Sequence, residues 1–232
     1  MISEGTRLKV ISLFSGGKDS TFALWCVQSQ AWDVKVLVTV VPKMPDSWMF
    51  HHPAVEWTHL QSDAIGIPQV TVNSDGVKER EVDDLKRGLA ELTSTLEVDG
   101  LVSGAVSSEY QRTRLDNLCE DLGLKSFAPL WHKNQEQLVR EQLTAGFEII
   151  MTSCNAMGLD AKWLGKKLDI PGLNRLVELK KKYGLNVAFE GGEAETFVLW
   201  APMFKRRLKV VRATKTWRGD SGFLKIDDMC LE

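Results

Sequence analysis

Residues 8–20 read LKVISLFSGGKDS, an apolar run that ends in a glycine pair. The run Leu8–Phe14 is typical of a strand that is buried on both faces, as the strands of parallel sheets are. The glycines break this run, and Asp19 opens an amphipathic segment that continues to Val27. Strand, glycine turn and helix in this order predict the first unit of an α/β sheet.

The same alternation of strand and helix patterns continues to about residue 106. Apolar runs predict strands at Val34–Val41, Gln69–Val72 and Gly100–Val106, and the runs between them predict helices at Trp57–Ile65 and Lys78–Leu96. Helices between strands indicate a parallel sheet, because each parallel connection needs a crossover. We therefore predict a doubly wound, Rossmann-like α/β domain.

A different pattern begins after about residue 130. It predicts helices at Gln135–Thr144 and Leu173–Tyr183, a strand at Phe147–Thr152, and an antiparallel or edge strand at Leu208–Trp217. The chain shows no internal repeat and no flexible linker between the two parts. We expect two lobes in tight contact, the parallel-sheet domain over residues 1–128 and a smaller α+β lobe over residues 129–232.

The composition narrows the class of protein. A net charge of −2 over 232 residues weighs against broad electrostatic binding of nucleic acid. The four cysteines are scattered with no CxxC pair, so neither a disulfide scaffold nor a zinc site is indicated. The start of the chain shows no signal-peptide pattern, and no apolar stretch approaches the length of a membrane span. We expect a cytoplasmic protein with no membrane partner and no strong nucleic-acid binding.

The hexapeptide 15–20, SGGKDS, has the features of a phosphate-binding loop. Gly16 and Gly17 let backbone amides approach a ligand closely, and the helix that follows adds unpaired N–H donors and partial positive charge. Ser15 and Ser20 can add hydroxyl donors, and Lys18 can add a positive charge. The alternative is a glycine turn with a simple helix cap. The spacing matches neither G-x-x-x-x-G-K-[ST] nor G-x-G-x-x-G.

This hexapeptide resembles the SGGxDS signature of the PP-loop ATP pyrophosphatases. The resemblance implies that the loop holds the β,γ-pyrophosphate of ATP as a leaving group, so that attack at the α-phosphorus gives AMP and pyrophosphate. It also implies Mg²⁺, held by the ATP phosphates with Asp19 as a possible ligand. The ATP-binding residues expected on this basis are Ser15, Gly16, Gly17, Lys18, Asp19, Ser20 and Gly104.

Two later segments are candidates for the acceptor site. In GAVSSEYQRTR (104–114), Arg112 and Arg114 could grip a phosphate or carboxylate, or could be ordinary surface residues at the start of a helix. In EGGEAETF (190–197), three carboxylates flank two glycines, an arrangement that suits Mg²⁺, ammonia or a quaternary ammonium group. A solvated acidic turn is the alternative. Trp163, in GLDAKWLG (158–165), is either core packing or a cleft wall.

Taken in order, the motifs SGGKDS, WMFHHP (48–53), GAVSSEYQRTR, GLDAKWLG and EGGEAETFVL resemble the diphthine–ammonia ligase family over nearly the whole chain. The resemblance implies ATP-dependent amidation of the diphthine carboxylate on elongation factor 2, with free ammonium as the nitrogen source and a homodimer as one possible assembly. The catalytic residues we expect are Glu190, Glu193, Glu195 and Asp19. The substrate-binding residues we expect are Tyr110, Gln111, Arg112, Arg114, Trp163, Gly191 and Gly192.

Two positions depart from the family pattern, which often has a glycine where Phe189 stands and an acidic residue where Trp200 stands. Both flank the acidic motif, so they bear on the acceptor. Three other functions stay open: a PP-loop enzyme that modifies transfer RNA, a small-metabolite amide ligase, and a nucleotide sensor without turnover. A basic run from Lys205 to Arg218 is either a solvated strand or a docking strip for the protein substrate.

Overall fold

A computed structural model describes residues 7–42, 54–75 and 80–232 of the chain. The WMFHHP segment, with His51 and His52, lies outside the described residues. In the first half, a 3₁₀ turn (Val55–Trp57) precedes the second helix. The strands and helices of this half are β1 (Lys9–Leu13), α1 (Lys18–Ser29), β2 (Asp33–Pro42), α2 (Thr58–Ile65), β3 (Gln69–Ser74), α3 (Arg80–Thr95), β4 (Gly100–Val102), α4 (Glu109–Asp121) and β5 (Lys125–Phe127).

These strands form one parallel sheet in the order β3-β2-β1-β4-β5. Both faces of the sheet are buried, because alternate residues of one strand enter two different cores. Val10 packs into the core that contains α1 and the second half of the chain, while Ile11 packs into the core that contains α3 and α4. The predicted doubly wound α/β domain is confirmed.

The second half forms a separate antiparallel sheet in the order β7-β6-β9-β8. Its position at the end of this order makes β8 an edge strand, as predicted. The elements of this half are α5 (Gln135–Thr144), β6 (Glu148–Cys154), α6 (Ile170–Tyr183), β7 (Ala194–Trp200), β8 (Leu208–Arg218) and β9 (Ser221–Leu231).

Three details differ from the sequence prediction. Strand β4 ends at Val102 instead of residue 106, because the chain turns there and packs Gly104 against the start of α1. Strand β5 was not predicted, since three residues with one exposed lysine carry little periodic signal. Strand β9 was not predicted either. Its alternation is interrupted at Asp227, the residue that the pairing of β8 with β9 skips.

The two sheets share a continuous apolar core. Phe22 and Trp25 on α1 pack against Phe147 at the start of β6, with ring centroids 5.4 Å and 6.1 Å from the Phe147 ring. This core fixes the second sheet against the carboxyl end of β1. No helix in the described ranges is both long and apolar enough to cross a membrane.

Candidate active site

The loop between β1 and α1 is held in a tight turn by its own residues and by Gln61. Gly16 has a φ of +76°, and a Cβ at this position would lie 2.4 Å from Oε1 of Gln61. The hydroxyls of Ser15 and Ser20 lie 3.1 Å apart, and the Ser15 amide donates to the Ser20 hydroxyl at 3.2 Å. Gly17, the N-cap of α1, provides no side-chain cap. The start of α1 thus has no side-chain cap from its own N-cap residue, although Thr196 accepts a hydrogen bond from the Lys18 amide. A helix start of this kind favours an anion.

A cavity of about 790 Å³ opens beside this loop. It is lined by the phosphate loop, β2 and the turn after β4, together with residues of the antiparallel sheet and the acidic loop before β7. It lies outside the carboxyl ends of β1 and β4, where the strand order reverses, which is where doubly wound sheets bind ligands. At this size it can hold a nucleotide together with part of an acceptor.

Gly104 contributes to this site by close packing. A Cβ on Gly104 would lie 2.7 Å from the backbone nitrogen of Ser20 and 2.9 Å from the carbonyl carbon of Asp19. Backbone atoms cannot swing aside, so any side chain here would displace the start of α1. The turn after β4 therefore sets the position of the phosphate loop.

Lys18 is buried, with 2% of its surface exposed. Its ammonium donates to Oδ2 of Asp19 at 2.5 Å and to the backbone carbonyl of Ala188 at 2.6 Å. Oδ1 of Asp19 accepts a hydrogen bond from the side chain of Gln142 on α5 at 2.9 Å. The cation and carboxylate at the start of α1 are thus held by groups of the second half of the chain, and their head groups border the cavity.

The three glutamates of the acidic loop have different surroundings. Glu190 lines the cavity, and its carboxylate accepts a hydrogen bond from the Ser107 amide at 2.9 Å. Burial raises the pKa of Glu190, and the nearby charge of Asp19 raises it further, against the lowering effect of the Ser107 hydrogen bonds and Lys18. A carboxyl group in this setting binds a proton more readily than an ordinary one.

Glu193 and Glu195 differ in what their carboxylates face. The carboxylate of Glu193 accepts hydrogen bonds from the amides of Asn186 at 3.0 Å and Gly191 at 2.8 Å, so it holds its own loop. The side chain of Glu195 lines the cavity, and its amide donates to the Ser153 hydroxyl at 3.0 Å. The catalytic role expected for each glutamate stays a prediction.

The predicted substrate-binding residues are not all brought together. Gln111 and Gly192 line the cavity. Arg112 pairs with Asp116 at 2.7 Å, and the guanidinium of Arg114 lies 3.5 Å from the Tyr110 ring centroid. The cavity wall, as formed by the described residues, does not include five of the predicted substrate-binding residues: Tyr110, Arg112, Arg114, Trp163 and Gly191. Trp163 packs against the main core instead.

Phe189 adopts a φ of +66°, a backbone conformation that glycine reaches without strain. Its ring lines the cavity, with the Lys18 ammonium 5.4 Å from the ring centroid. The departure from the family glycine therefore adds an aromatic wall beside Lys18. Trp200 lies elsewhere, with the Arg207 guanidinium 4.6 Å from its ring centroid.

The sequence reasoning missed the cavity residues that the antiparallel sheet and its loops supply, among them Ser153, Asn155, Thr216, Arg218 and Phe223. Burial raises the pKa of the thiol of Cys154, the neighbour of Ser153 and Asn155, to about 12, which disfavours a nucleophilic role. The one available signal was Arg218, at the end of the basic run. No local pattern places β8 and β9 beside the phosphate loop.

Within residues 7–42, 54–75 and 80–232, no group of three or more His, Cys, Asp or Glu side chains could hold a metal ion. Asp19 and Glu190 both line the cavity, and the charge of Asp19 raises the pKa of Glu190. Two neighbouring carboxylates of this kind fit a divalent cation whose other ligands come from a bound phosphate.

Two protein-family models match the chain in succession. The model of the diphthamide synthase N-terminal domain matches residues 8–126, and that of the C-terminal domain matches residues 134–231. The chain belongs to the diphthine–ammonia ligase family. A diphthine–ammonia ligase of Homo sapiens is 34% identical over 222 residues, which cover 88% of this chain and 83% of the human protein.

Other members of the diphthine–ammonia ligase family give the same result. The ligase of Danio rerio is 34% identical over 90% of this chain and 88% of its own length. That of Schizosaccharomyces pombe is 35% identical over 87% of this chain but only 36% of its own length. A solved structure, a predicted subunit of tRNA methyltransferase from Methanocaldococcus jannaschii, matches with a TM-score of 0.46 at 15% identity over 84% of this chain and 98% of that one. That likeness is too distant to support a conclusion.

Proposed function

We propose that this chain is a diphthine–ammonia ligase that activates a carboxylate with ATP and converts it to the amide with ammonium. The observation that carries the proposal is the shared cavity, which is lined by both the phosphate loop and the acidic loop. An enzyme of this kind must hold a nucleotide phosphate chain and an acceptor carboxylate in contact. Membership of the family supports diphthine as the acceptor.

The phosphate loop would hold the β- and γ-phosphates at the start of α1, with the Lys18 charge beside them. An oxygen of the acceptor carboxylate then attacks the α-phosphorus, and pyrophosphate leaves. Bound Mg²⁺, held by the phosphates with Asp19 and Glu190 nearby, would neutralise phosphate charge in this step. The product is an acyl adenylate, in which the former carboxylate oxygen has become part of a good leaving group.

Ammonia then attacks the acyl carbon, and AMP leaves with the former carboxylate oxygen. The nitrogen must lose protons as ammonium becomes an amide. Glu190 is the proposed proton acceptor, because its raised pKa makes it a better base than an ordinary carboxylate and it lines the cavity. Glu195 is the second carboxylate at this wall. Glu193, whose oxygens hold the loop amides, would act by keeping Glu190 in place.

The acceptor would be diphthine on elongation factor 2, the nitrogen source free ammonium, and the compartment the cytoplasm. A phosphorus NMR assay of ATP turnover tests the proposal, with Mg²⁺, ammonium and the diphthine-bearing factor each omitted in turn. We expect AMP, pyrophosphate and amidated factor only from the complete mixture. AMP formed without regard to the factor would contradict the acceptor and favour a transfer RNA or small-metabolite substrate. ATP binding without any turnover would favour a nucleotide sensor, and ADP as product would contradict the mechanism.

A further inference from the structure

A row of side chains runs across the antiparallel sheet and faces the cavity. Glu195 on β7 pairs with Ser153 on β6, Ser153 pairs with Phe223 on β9, and Phe223 pairs with Thr216 on β8. Residues directly opposite one another in antiparallel strands present their side chains on the same face. All four line the cavity, and so does Arg218, two residues beyond Thr216 on β8. We call these five residues the cross-strand row.

Phe223 is the apolar member of the cross-strand row. Its side chain is 45% exposed, while its neighbours Gly222 and Leu224 on β9 are buried. The phenyl ring thus forms an open apolar wall of the cavity. A quaternary ammonium group has no N–H donor, so proteins recognise it by aromatic faces and negative charge. Phe223, with the Glu195 carboxylate on the same sheet face, offers both.

Arg218 supplies the opposite charge at the β8 end of the row. Within the part of the chain that the structure describes, its guanidinium has no hydrogen-bond or ion-pair partner. Other cations of the same basic run are engaged: Lys209 pairs with Glu232 at 2.6 Å, and Arg207 pairs with Glu148. The turn that carries Arg218 is fixed, because the Trp217 indole donates to the Gly219 carbonyl at 2.9 Å. A free guanidinium on a cavity wall suits a carboxylate ligand.

We propose that the cross-strand row is the binding site for the zwitterionic head of the acceptor, with Phe223 and Glu195 contacting the trimethylammonium group and Arg218 contacting the carboxylate. The inference rests on the proposed function, since diphthine carries these two groups side by side. It assigns acceptor recognition to β7, β8 and β9 instead of to the 110–114 segment. The phosphate loop, which lines the same cavity, is left for ATP.

A binding test that needs no turnover examines the cation part. In ligand-observed NMR titrations of the whole protein, we expect choline to bind about tenfold more tightly than its neutral isostere 3,3-dimethylbutan-1-ol, as cation–π contacts of this size allow. Phe223→Leu should remove this preference, Phe223→Tyr should keep it, and Glu195→Gln should reduce it. A wild-type protein that binds both probes equally would overturn the proposal.

The carboxylate part is tested with glycine betaine, which has both groups. Arg218→Gln should weaken the binding of glycine betaine about tenfold and leave choline unchanged. Arg212→Gln, an exposed arginine on the same strand outside the cavity wall, is the matched control and should change neither. If Arg218→Gln instead weakened ATP binding and not that of glycine betaine, the assignment of Arg218 to the acceptor would be wrong.

Turnover separates this inference from the proposed function. In the amidation assay, Phe223→Leu and Arg218→Gln should raise the KM for the diphthine-bearing factor about tenfold, with the Kd for ATP unchanged. If both variants amidated the factor at the wild-type rate and with the wild-type KM, the inference would be overturned and the proposed function would be kept. If the wild-type protein bound choline and glycine betaine selectively but did not amidate the factor, the proposed function would be overturned and the binding site would be kept.

Discussion

Gly16 lies where the phosphate loop has least room. Its positive φ excludes most side chains, and Gln61 closes the space above it while donating hydrogen bonds to the carbonyls of Gly16 at 3.0 Å and Val198 at 2.7 Å. Gln61 is fully buried, so it cannot retreat into solvent. The loop conformation is therefore set by α2 and β7 as much as by the loop residues themselves.

We expect Gly16→Ala to lower both stability and ATP affinity, because the new methyl group meets a backbone penalty of about 1–2 kcal/mol and a clash with Gln61. Gly184→Ala is the control, since Gly184 has nearly the same φ of +75° with no atom within 4 Å of the added Cβ. The control should lose only the backbone term and keep its ATP affinity. Chemical denaturation and ATP titration measure the two effects. Equal losses of stability and of ATP affinity in the two variants would rule out the clash with Gln61.

The raised pKa of Glu190 predicts that the stability of the protein depends on pH. Its pKa is raised in the folded protein, so the folded state binds the proton more tightly than the unfolded state. The free energy of unfolding should therefore fall as pH rises from the ordinary value of 4.5 through the raised pKa. Glu190→Gln removes this contribution, so the variant should gain stability relative to wild type over that window and level off above it.

Urea denaturation from pH 4 upwards measures this difference. Glu97→Gln is a control of opposite sign, because the hydrogen bond and charge of Lys9 lower the pKa of Glu97, whose contribution is lost as pH falls. A Glu190→Gln difference that does not change with pH would contradict the raised pKa.

At the scale of elements, the first turn of α1 is held from three sides. Thr196 on β7 accepts a hydrogen bond from the Lys18 amide at 3.2 Å, the loop before β7 accepts one from the Lys18 ammonium, and Gln142 on α5 donates to Asp19. All three partners lie in the second half of the chain. The start of α1, where we propose that the phosphates bind, is thus oriented by the half of the chain that carries the cross-strand row.

Gln142→Leu should impair this orientation with little effect on the fold. The side chain is fully buried and its Oε1 atom has no hydrogen-bond partner, so leucine removes one unpaired acceptor along with the donor to Asp19. We expect the Mg²⁺ concentration needed for half-maximal turnover to rise several-fold, with a stability loss below about 2 kcal/mol. Gln137 is exposed on the same helix, so Gln137→Leu is the control and should change neither the Mg²⁺ dependence nor the stability. A large stability loss with unchanged Mg²⁺ dependence would make Gln142 a purely structural residue.

At the scale of the whole molecule, one core joins the two sheets. Leu24 of the parallel-sheet half and Val139 and Phe147 of the antiparallel-sheet half belong to the same buried cluster. We propose the division at residues 128 and 129 as a boundary of topology and not of stability. Neither half can bury its part of this cluster alone.

The whole chain should therefore unfold in one transition, and residues 1–128 expressed alone should show no cooperative unfolding. Circular dichroism and tryptophan fluorescence should give coincident curves for the full chain. Two separated transitions, or a fragment that unfolds cooperatively, would contradict the shared core.

The parallel-sheet domain was predictable because its signals are local. A buried strand, a glycine turn and a helix start are written in adjacent residues from Leu8 to Ser20, and β2, β3 and β4 each carry an apolar run of their own. The phosphate loop and the acidic loop were recognisable for the same reason, since each is a short contiguous motif. The prediction of β8 as an antiparallel or edge strand followed from the alternation of its residues.

The cross-strand row was not predictable, because it exists only when β6, β7, β8 and β9 are in register. Phe223 and Arg218 are unremarkable in sequence, and they become cavity residues through pairings that span up to 70 positions, as between Ser153 and Phe223. The arginines of the 110–114 segment show the converse: they look like anion ligands, but helix α4 turns them to Asp116 and Tyr110. Local pattern reveals which residues can bind a phosphate, whereas long-range packing decides which side chains share a cavity with it.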